Sequence, residues 1–206
     1  MSFGRVCDEK GWLVSGIVLS AVILWILYRK DEDFKCCQSI QIRADFLLLC
    51  NVIILVLPSD INKEPWYIQM CFTGMFVYLM VASVMDCRLQ MVSDFLHGIG
   101  ILSAGILAIC KPTEPENGWA VVMFCLIQYL VFRFMYGSAD VAGFMVCALF
   151  LAAEGRGIDT YLFHMAMTFL VLGIVQLFRG NLSKWGNLKE PVALVPYIMI
   201  GFFAII

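Results

Sequence analysis

The sequence predicts an all-α polytopic membrane protein, a bundle of about eight transmembrane helices. Its 206 residues are 62% hydrophobic and only 15% charged, whereas soluble domains are nearer half apolar and a quarter charged. The apolar residues fall into runs that are too many and too apolar to fill one soluble core. Because backbone polar groups must be satisfied internally within a bilayer, we expect these runs to be helices.

Eight apolar runs approach the roughly 20 residues that a helix needs to cross a bilayer. The second and sixth are short, as expected of helices that tilt little or lie inside the bundle. Polar linkers separate the runs, and several of these linkers contain the Pro and Gly residues that are typical of turns. In chain order the predicted spans are residues 12–28, 44–57, 66–85, 95–110, 118–135, 140–153, 161–178 and 191–206.

The distribution of basic residues predicts the orientation. The linkers after spans one, three, five and seven, together with Arg133 towards the end of span five, carry nine Lys and Arg residues, and the other segments carry five. Cytoplasmic loops carry the excess of Lys and Arg, so these four linkers should face the cytoplasm. We expect a multi-pass protein of the cytoplasmic membrane, surrounded by lipid. No basic patch indicates nucleic acid as a partner, and the oligomeric state stays open.

Two aspartates, Asp86 and Asp140, stand at the edges of long apolar runs. An ionisable side chain at such a place is costly and indicates a functional site. Two complete crossings lie between them, so both should face the cytoplasmic side. Two carboxyl groups that approach closely share one proton. The ionised group can then take a proton from water while the protonated group donates to a peptide carbonyl, which is amide hydrolysis without a metal or another cofactor.

The residues around Asp86 resemble the first motif of the type IV prepilin leader peptidases. In that family an Asp ends a helix, and a basic loop leads to Ile-Pro-Asn or Ile-Pro-Asp. The chain reads Asp-Cys-Arg-Leu-Gln-Met-Val-Ser-Asp over residues 86–94, so Val92, Ser93 and Asp94 occupy those three places.

The residues around Asp140 resemble the second motif of the same family, Gly-x-Gly-Asp or Gly-x-Ala-Asp followed by Val and often Lys. The matching residues are Gly137, Ser138, Ala139, Asp140 and Val141. Near the C-terminus, residues 189–201 are similar to the Pro-rich segment that opens the family's last helix.

This resemblance implies a division of the chain and an activity. Residues 66–206 would be the six-span peptidase core, and residues 1–65 a two-span N-terminal extension. The family consists of intramembrane aspartic endopeptidases, hydrolases that remove a basic leader from pilin-like precursors at the cytoplasmic face. Asp86 and Asp140 would be the catalytic pair. The paired Cys-x-x-Cys motifs of members that also methylate their product are absent, so we expect peptidase activity alone.

Three departures from the family pattern leave other functions open. Ser93 stands for the family Pro, Ala139 for the second Gly, and Ala142 for the frequent Lys. A non-catalytic homologue that binds pilin-like helices as a scaffold is one alternative. A small ion- or proton-coupled transporter that uses intramembrane Asp residues is the other.

Structural interpretations of the same residues also stay open. Asp86 could cap its helix and pair with Arg88, while Asp94 and Asp140 could be N-caps of spans four and six. His97 and His164 lack carboxylate partners at ligand spacing, which favours buried, hydrogen-bonded histidines over a metal site. The nine cysteines show no zinc-ligand spacing either, and we expect no metal.

Overall fold

The computed structural model describes residues 11–30, 34, 39–56, 61, 64–111, 115–132, 137–178 and 192–206. These residues form eight α-helices and no strand, which confirms the predicted all-α class. In chain order the helices are α1 (Gly11–Lys30), α2 (Ser39–Val56), α3 (Trp66–Leu89), α4 (Asp94–Cys110), α5 (Pro115–Phe132), α6 (Ser138–Ala153), α7 (Ile158–Phe178) and α8 (Val195–Phe203).

Length and hydropathy mark three of the described helices as candidate membrane spans. They are α1, α3 and, over Ile158–Leu177, α7, with mean hydropathies of 2.1, 1.8 and 1.7. Apolar stretches in α4, α5 and α6 are shorter. The chain therefore has the character of a membrane protein, and the full count of eight spans stays a prediction.

Helix α3 is the centre of the bundle. Of its most apolar 18-residue window, 78% is buried, against 28% for α1 and 17% for α7. It packs against α1, α2, α4 and α8. A helix that is apolar on all sides is stable only where neighbours or lipid surround it, and for α3 the neighbouring helices do most of this.

Small residues allow α3, α4 and α6 to approach closely. A Cβ atom on Gly100 of α4 would lie 2.5 Å from Val146 Cγ1 of α6 and 2.8 Å from Tyr78 Cδ1 of α3. Gly143 of α6 lies against α8, since a Cβ there would be 3.4 Å from Ile198 Cδ1. Glycines at such contacts let helix backbones pack within a bilayer, and these contacts bring α6 towards α3.

Ion pairs define the two ends of the bundle. At one end, Arg88 in the last turn of α3 bonds to Asp45 near the start of α2. At the opposite end, Lys111 after α4 lies 2.8 Å from Glu154 after α6 and 4.0 Å from Glu64 before α3. We call these the Arg88 end and the Lys111 end.

The observed helix bounds differ from the predicted spans most clearly in α2 and α8. Helix α2 begins at Ser39, before the predicted apolar run, because its polar first turns pair with α3: Arg88 also donates to Gln41 Oε1 at 3.0 Å. Helix α8 covers only Val195–Phe203 of the predicted 191–206. Its first turn contains Pro196, and described residues 192–194 approach it without helical structure. Residues 189–191 of the C-terminal motif lie outside the described residues.

Candidate aspartate site at one end of the bundle

Asp86 lies in the last full turn of α3 and is 6% exposed. Its side chain turns to the start of α8, where the backbone N–H of Val195 donates to Asp86 Oδ2 at 2.9 Å. The helix ends after it because Gln90 takes a left-handed φ of 52° and its N–H bonds to the Asp86 carbonyl at 3.1 Å. The carboxyl group is therefore held inside the bundle rather than in the following loop.

Asp140 lies in the first turn of α6 and is partly buried. Its backbone N–H donates to the Gly137 carbonyl at 3.1 Å, which closes the first turn. A Cβ atom on Gly137 would lie only 3.3 Å from Asp140 Oδ2. Glycine at position 137 therefore leaves space directly beside the carboxyl group.

Both aspartates belong to the Arg88 end. Helix α6 finishes at the Lys111 end, beside Glu154, so its first turn and Asp140 lie at the other end. Helix α8 connects the two regions: its first residue, Val195, bonds to Asp86, and its Ile198 lies beside Gly143, one helical turn after Asp140. No hydrogen bond joins these two described groups. Helices α4 and α8 each pack against both α3 and α6.

The structure corrects the two capping interpretations. The N-cap of α4 is Ser93 and that of α6 is Gly137, while Asp94 and Asp140 follow in the first turns. A carboxylate in a first turn still interacts favourably with the helix dipole, which explains why these residue types begin the helices. The alternative of an Asp86–Arg88 pair is also wrong: Arg88 bonds to Asp45, and Asp86 to Val195.

The remaining motif residues divide into packing and exposed positions. Val141 is buried, and Val92 packs against the core from the loop between α3 and α4. Ala139 is partly buried, and the exposed ones are Ser93, Asp94 and Ser138. Their positions put all of them at the Arg88 end, around the two aspartates.

Two features of the region were missed by sequence reasoning. One is the hydrogen bond from the Val195 amide to Asp86. The C-terminal motif predicted that a helix begins near this residue, but not that its amide binds the aspartate. The other is the buried pair of Tyr78 and His97, whose hydroxyl oxygen and Nδ1 lie 2.9 Å apart. Tyr78 Oη would be 3.8 Å from a Cβ on Gly143, one helical turn after Asp140. No periodic signal marks Tyr78, because α3 is apolar all round.

Both histidines are buried and hydrogen-bonded, as predicted. His97 pairs with Tyr78, and His164 Nε2 donates to the Ile198 carbonyl at 3.1 Å. Over the described ranges, no group of three or more His, Cys, Asp or Glu side chains is arranged to hold a metal ion.

No protein-family model, curated protein or solved structure matches this chain. The resemblance to prepilin peptidases stays a prediction from the motifs around Asp86 and Asp140 and at the C-terminus. What the protein does must therefore be inferred from the two aspartates, their surroundings and the chemistry that such a pair supports.

Proposed function

We propose that this chain is an intramembrane aspartic endopeptidase that cleaves the leader peptide of type IV pilin-like precursors at the cytoplasmic face of the membrane. One observation carries the proposal. Asp86 and Asp140 are 54 positions apart in the sequence, yet both lie at the Arg88 end, and α8 contacts the helix turns that carry them. Paired carboxyl groups that are partly withdrawn from solvent are typical of catalytic sites.

The unequal surroundings of the two carboxyl groups support different roles for them. Asp86 accepts the Val195 N–H bond, and a hydrogen bond to the charged form favours that form. Asp86 is then the ionised general base, and Asp140 keeps the shared proton. In this proposal the attacking water molecule lies between the two carboxyl groups and binds both.

The reaction follows from these roles. Asp86 removes a proton from the water molecule while the water oxygen bonds to the scissile carbonyl carbon. Asp140 donates its proton to the carbonyl oxygen in the same step. When the C–N bond breaks, the proton held by Asp86 passes to the leaving amine and Asp140 recovers its own from the hydroxyl group. A site at a helix end suits this chemistry, because the reaction consumes water that the bilayer centre lacks.

The test uses the full-length protein in proteoliposomes with a pilin-like precursor that has a basic leader followed by a hydrophobic helix. We expect Asp86→Asn and Asp140→Asn each to lower the rate of leader removal by about 10³-fold or more, since each variant lacks a proton-transfer group. Mass spectrometry of the product gives the rate and the cleaved bond.

The matched control is Asp159→Asn, which makes the same chemical change at the exposed start of α7, at the opposite end of the bundle. It should process the precursor at the rate of the unmodified chain. Normal processing by either site variant would refute the catalytic pair. Precursor binding without cleavage by the intact chain would instead favour the scaffold alternative.

A cluster of buried polar side chains is the observation that favours the alternative function, transport of ions or protons. Tyr161 donates to Gln128 between α7 and α5, and His164 is fully buried with its Nδ1 atom unpartnered. Polar groups in the interior of a membrane bundle are typical of proton and ion pathways. Proton flux across the same proteoliposomes, without any cleavage and lost in His164→Leu, would favour transport over proteolysis.

A further inference from the structure

A groove separates α1 from α2 at the Arg88 end. Both helices pack against α3, and the space left between them has a volume of about 440 Å³. Aromatic and aliphatic side chains line it together with two guanidinium groups. The residues that matter here are Ala21, Trp25, Tyr28, Arg29, Arg43 and Phe46.

The apolar part of this groove continues along α1. A second, shallower depression shares Ala21 and Trp25 with the first and extends to Ile17. From Arg29 to Ile17 the helix rises about 18 Å at about 1.5 Å per residue. Half of a bilayer's hydrocarbon core is about 15 Å thick, so the track is as long as one leaflet is deep. Exposed Val18 and Val22 lie on it.

Two arginine side chains give one part of the groove a positive charge, and a contact with an aromatic ring holds one of them in place. The guanidinium group of Arg29 lies 4.2 Å from the centre of the Trp25 ring, a cation–π contact that restrains it. In the described part of the chain, the ion pairs involve neither Arg29 nor Arg43. Guanidinium groups bind phosphate oxygens in a bidentate manner, and basic pockets between helices on the cytoplasmic side recognise anionic lipid headgroups.

We propose that this groove binds one anionic phospholipid, with its phosphate between Arg29 and Arg43 and an acyl chain along α1 past Trp25 and Ala21. A free phosphate ion would use the guanidinium groups but gain nothing from the apolar track, whereas a lipid uses both. The site is independent of the aspartate pair and of any peptidase activity. Within the chain, the acidic residues 31–33 could compete with the lipid phosphate for the two arginines. These three residues lie outside the described part of the chain.

The experiment titrates the purified full-length protein, in a non-ionic detergent, with phosphatidylglycerol or phosphatidylcholine and counts bound lipids by native mass spectrometry. We expect tighter binding of phosphatidylglycerol. A basic residue near an anionic headgroup contributes about 1 kcal/mol, which corresponds to about fivefold in affinity. Arg29→Gln and Arg43→Gln should each weaken phosphatidylglycerol binding by about that factor.

Three further measurements distinguish a lipid site from general surface charge and from a simple ion site. Lys30→Gln removes the same charge beside Arg29 without changing the groove lining and should leave binding unchanged. Ala21→Phe fills the apolar track while keeping both arginines, and should weaken both lipids. Excess inorganic phosphate should fail to displace phosphatidylglycerol.

Several results would overturn the proposal. Equal affinity for the two lipids would show that the arginines do not select a headgroup, as expected if residues 31–33 neutralise them. An effect of Lys30→Gln as large as that of Arg29→Gln would indicate general surface charge. Displacement by inorganic phosphate would indicate an ion site. Thermal unfolding of each variant establishes that it is folded before its binding is compared.

Discussion

Gly100 shows how single residues set the distances between helices in this protein. It lies where α4 meets both α3 and α6, and its neighbours Tyr78 and Val146 occupy the space that a side chain would need. Tyr78 in turn bonds to His97, close to the first turns of α6 that carry Asp140. The size of one residue therefore bears on both the packing of three helices and the surroundings of the aspartate site.

We expect Gly100→Leu to destabilise the bundle by about 2 kcal/mol or more, because overpacking forces side chains and backbones apart. For a chain of this size that corresponds to a fall in Tm of roughly 4–8 °C. Thermal unfolding in detergent measures the change. Gly98→Leu is the matched control, since apart from its chain neighbours and the backbone of its own helix nothing lies within 4 Å of a Cβ at that position; an equal loss in both variants would contradict the packing argument.

Side-chain partners were the least predictable feature at this scale. The sequence showed that Asp94 and Asp140 begin helices, but the N-caps are Ser93 and Gly137. Capping residues and first-turn residues have overlapping preferences for carboxylates, so the pattern does not separate the two positions. Arg88 likewise had several carboxylates within sequence reach, and only the packing of α2 on α3 gave it Asp45.

At the scale of helices, the contact between α2 and α3 joins the predicted N-terminal extension to the predicted core. The Arg88–Asp45 pair lies at the point where the loop after Asp86 begins, and its side chains are about one quarter exposed. Helix α8 contributes differently, because it is short and its first residue supplies the amide that holds Asp86. Two helices from opposite ends of the sequence thus position the last turn of α3.

A double-mutant cycle with Arg88→Gln and Asp45→Asn should give a coupling energy of about 1 kcal/mol in the free energy of unfolding. Partial burial places this pair near the upper end of the range for ion pairs close to a surface. The Lys111–Glu64 pair is a matched control at the other end, with 4.0 Å between the charged atoms and about a third or more of each side chain exposed. Its coupling should be near zero, and a larger value there than for Arg88–Asp45 would contradict the assignment.

At the scale of the whole molecule, the alternation of helix ends predicts which residues face the same side of the membrane. The ion pairs among the described residues put the end of α3 with the start of α2, and the end of α4 with the end of α6. These pairings agree with the odd–even order of the predicted spans. They leave the two aspartates together at the end for which the sequence predicts a cytoplasmic location.

Single-cysteine variants test this arrangement. Cys87 and Cys110 are both exposed, and they directly precede Arg88 and Lys111 at opposite ends of the bundle. In sealed vesicles of known orientation, a membrane-impermeant maleimide should label Cys87 from the cytoplasmic side only and Cys110 from the other side only. Labelling of both from one side would rule out the crossing between them and, with it, the proposed common face for Asp86 and Asp140.

The sequence by itself determined the helical, membrane-like character of this chain, and it predicts that Asp86 and Asp140 face one side of the membrane. Both depend on the lengths of the apolar runs. Each run forms its helix through hydrogen bonds within the segment, and its hydropathy is also a property of that segment alone. Only the tertiary structure decided which groups meet: the Val195 amide and Asp86 are separated by 109 positions, and Arg29 and Arg43 line one groove. Such contacts depend on how the helices pack side by side. That packing depends on the contacting faces of several helices together, and no single segment of the sequence determines it.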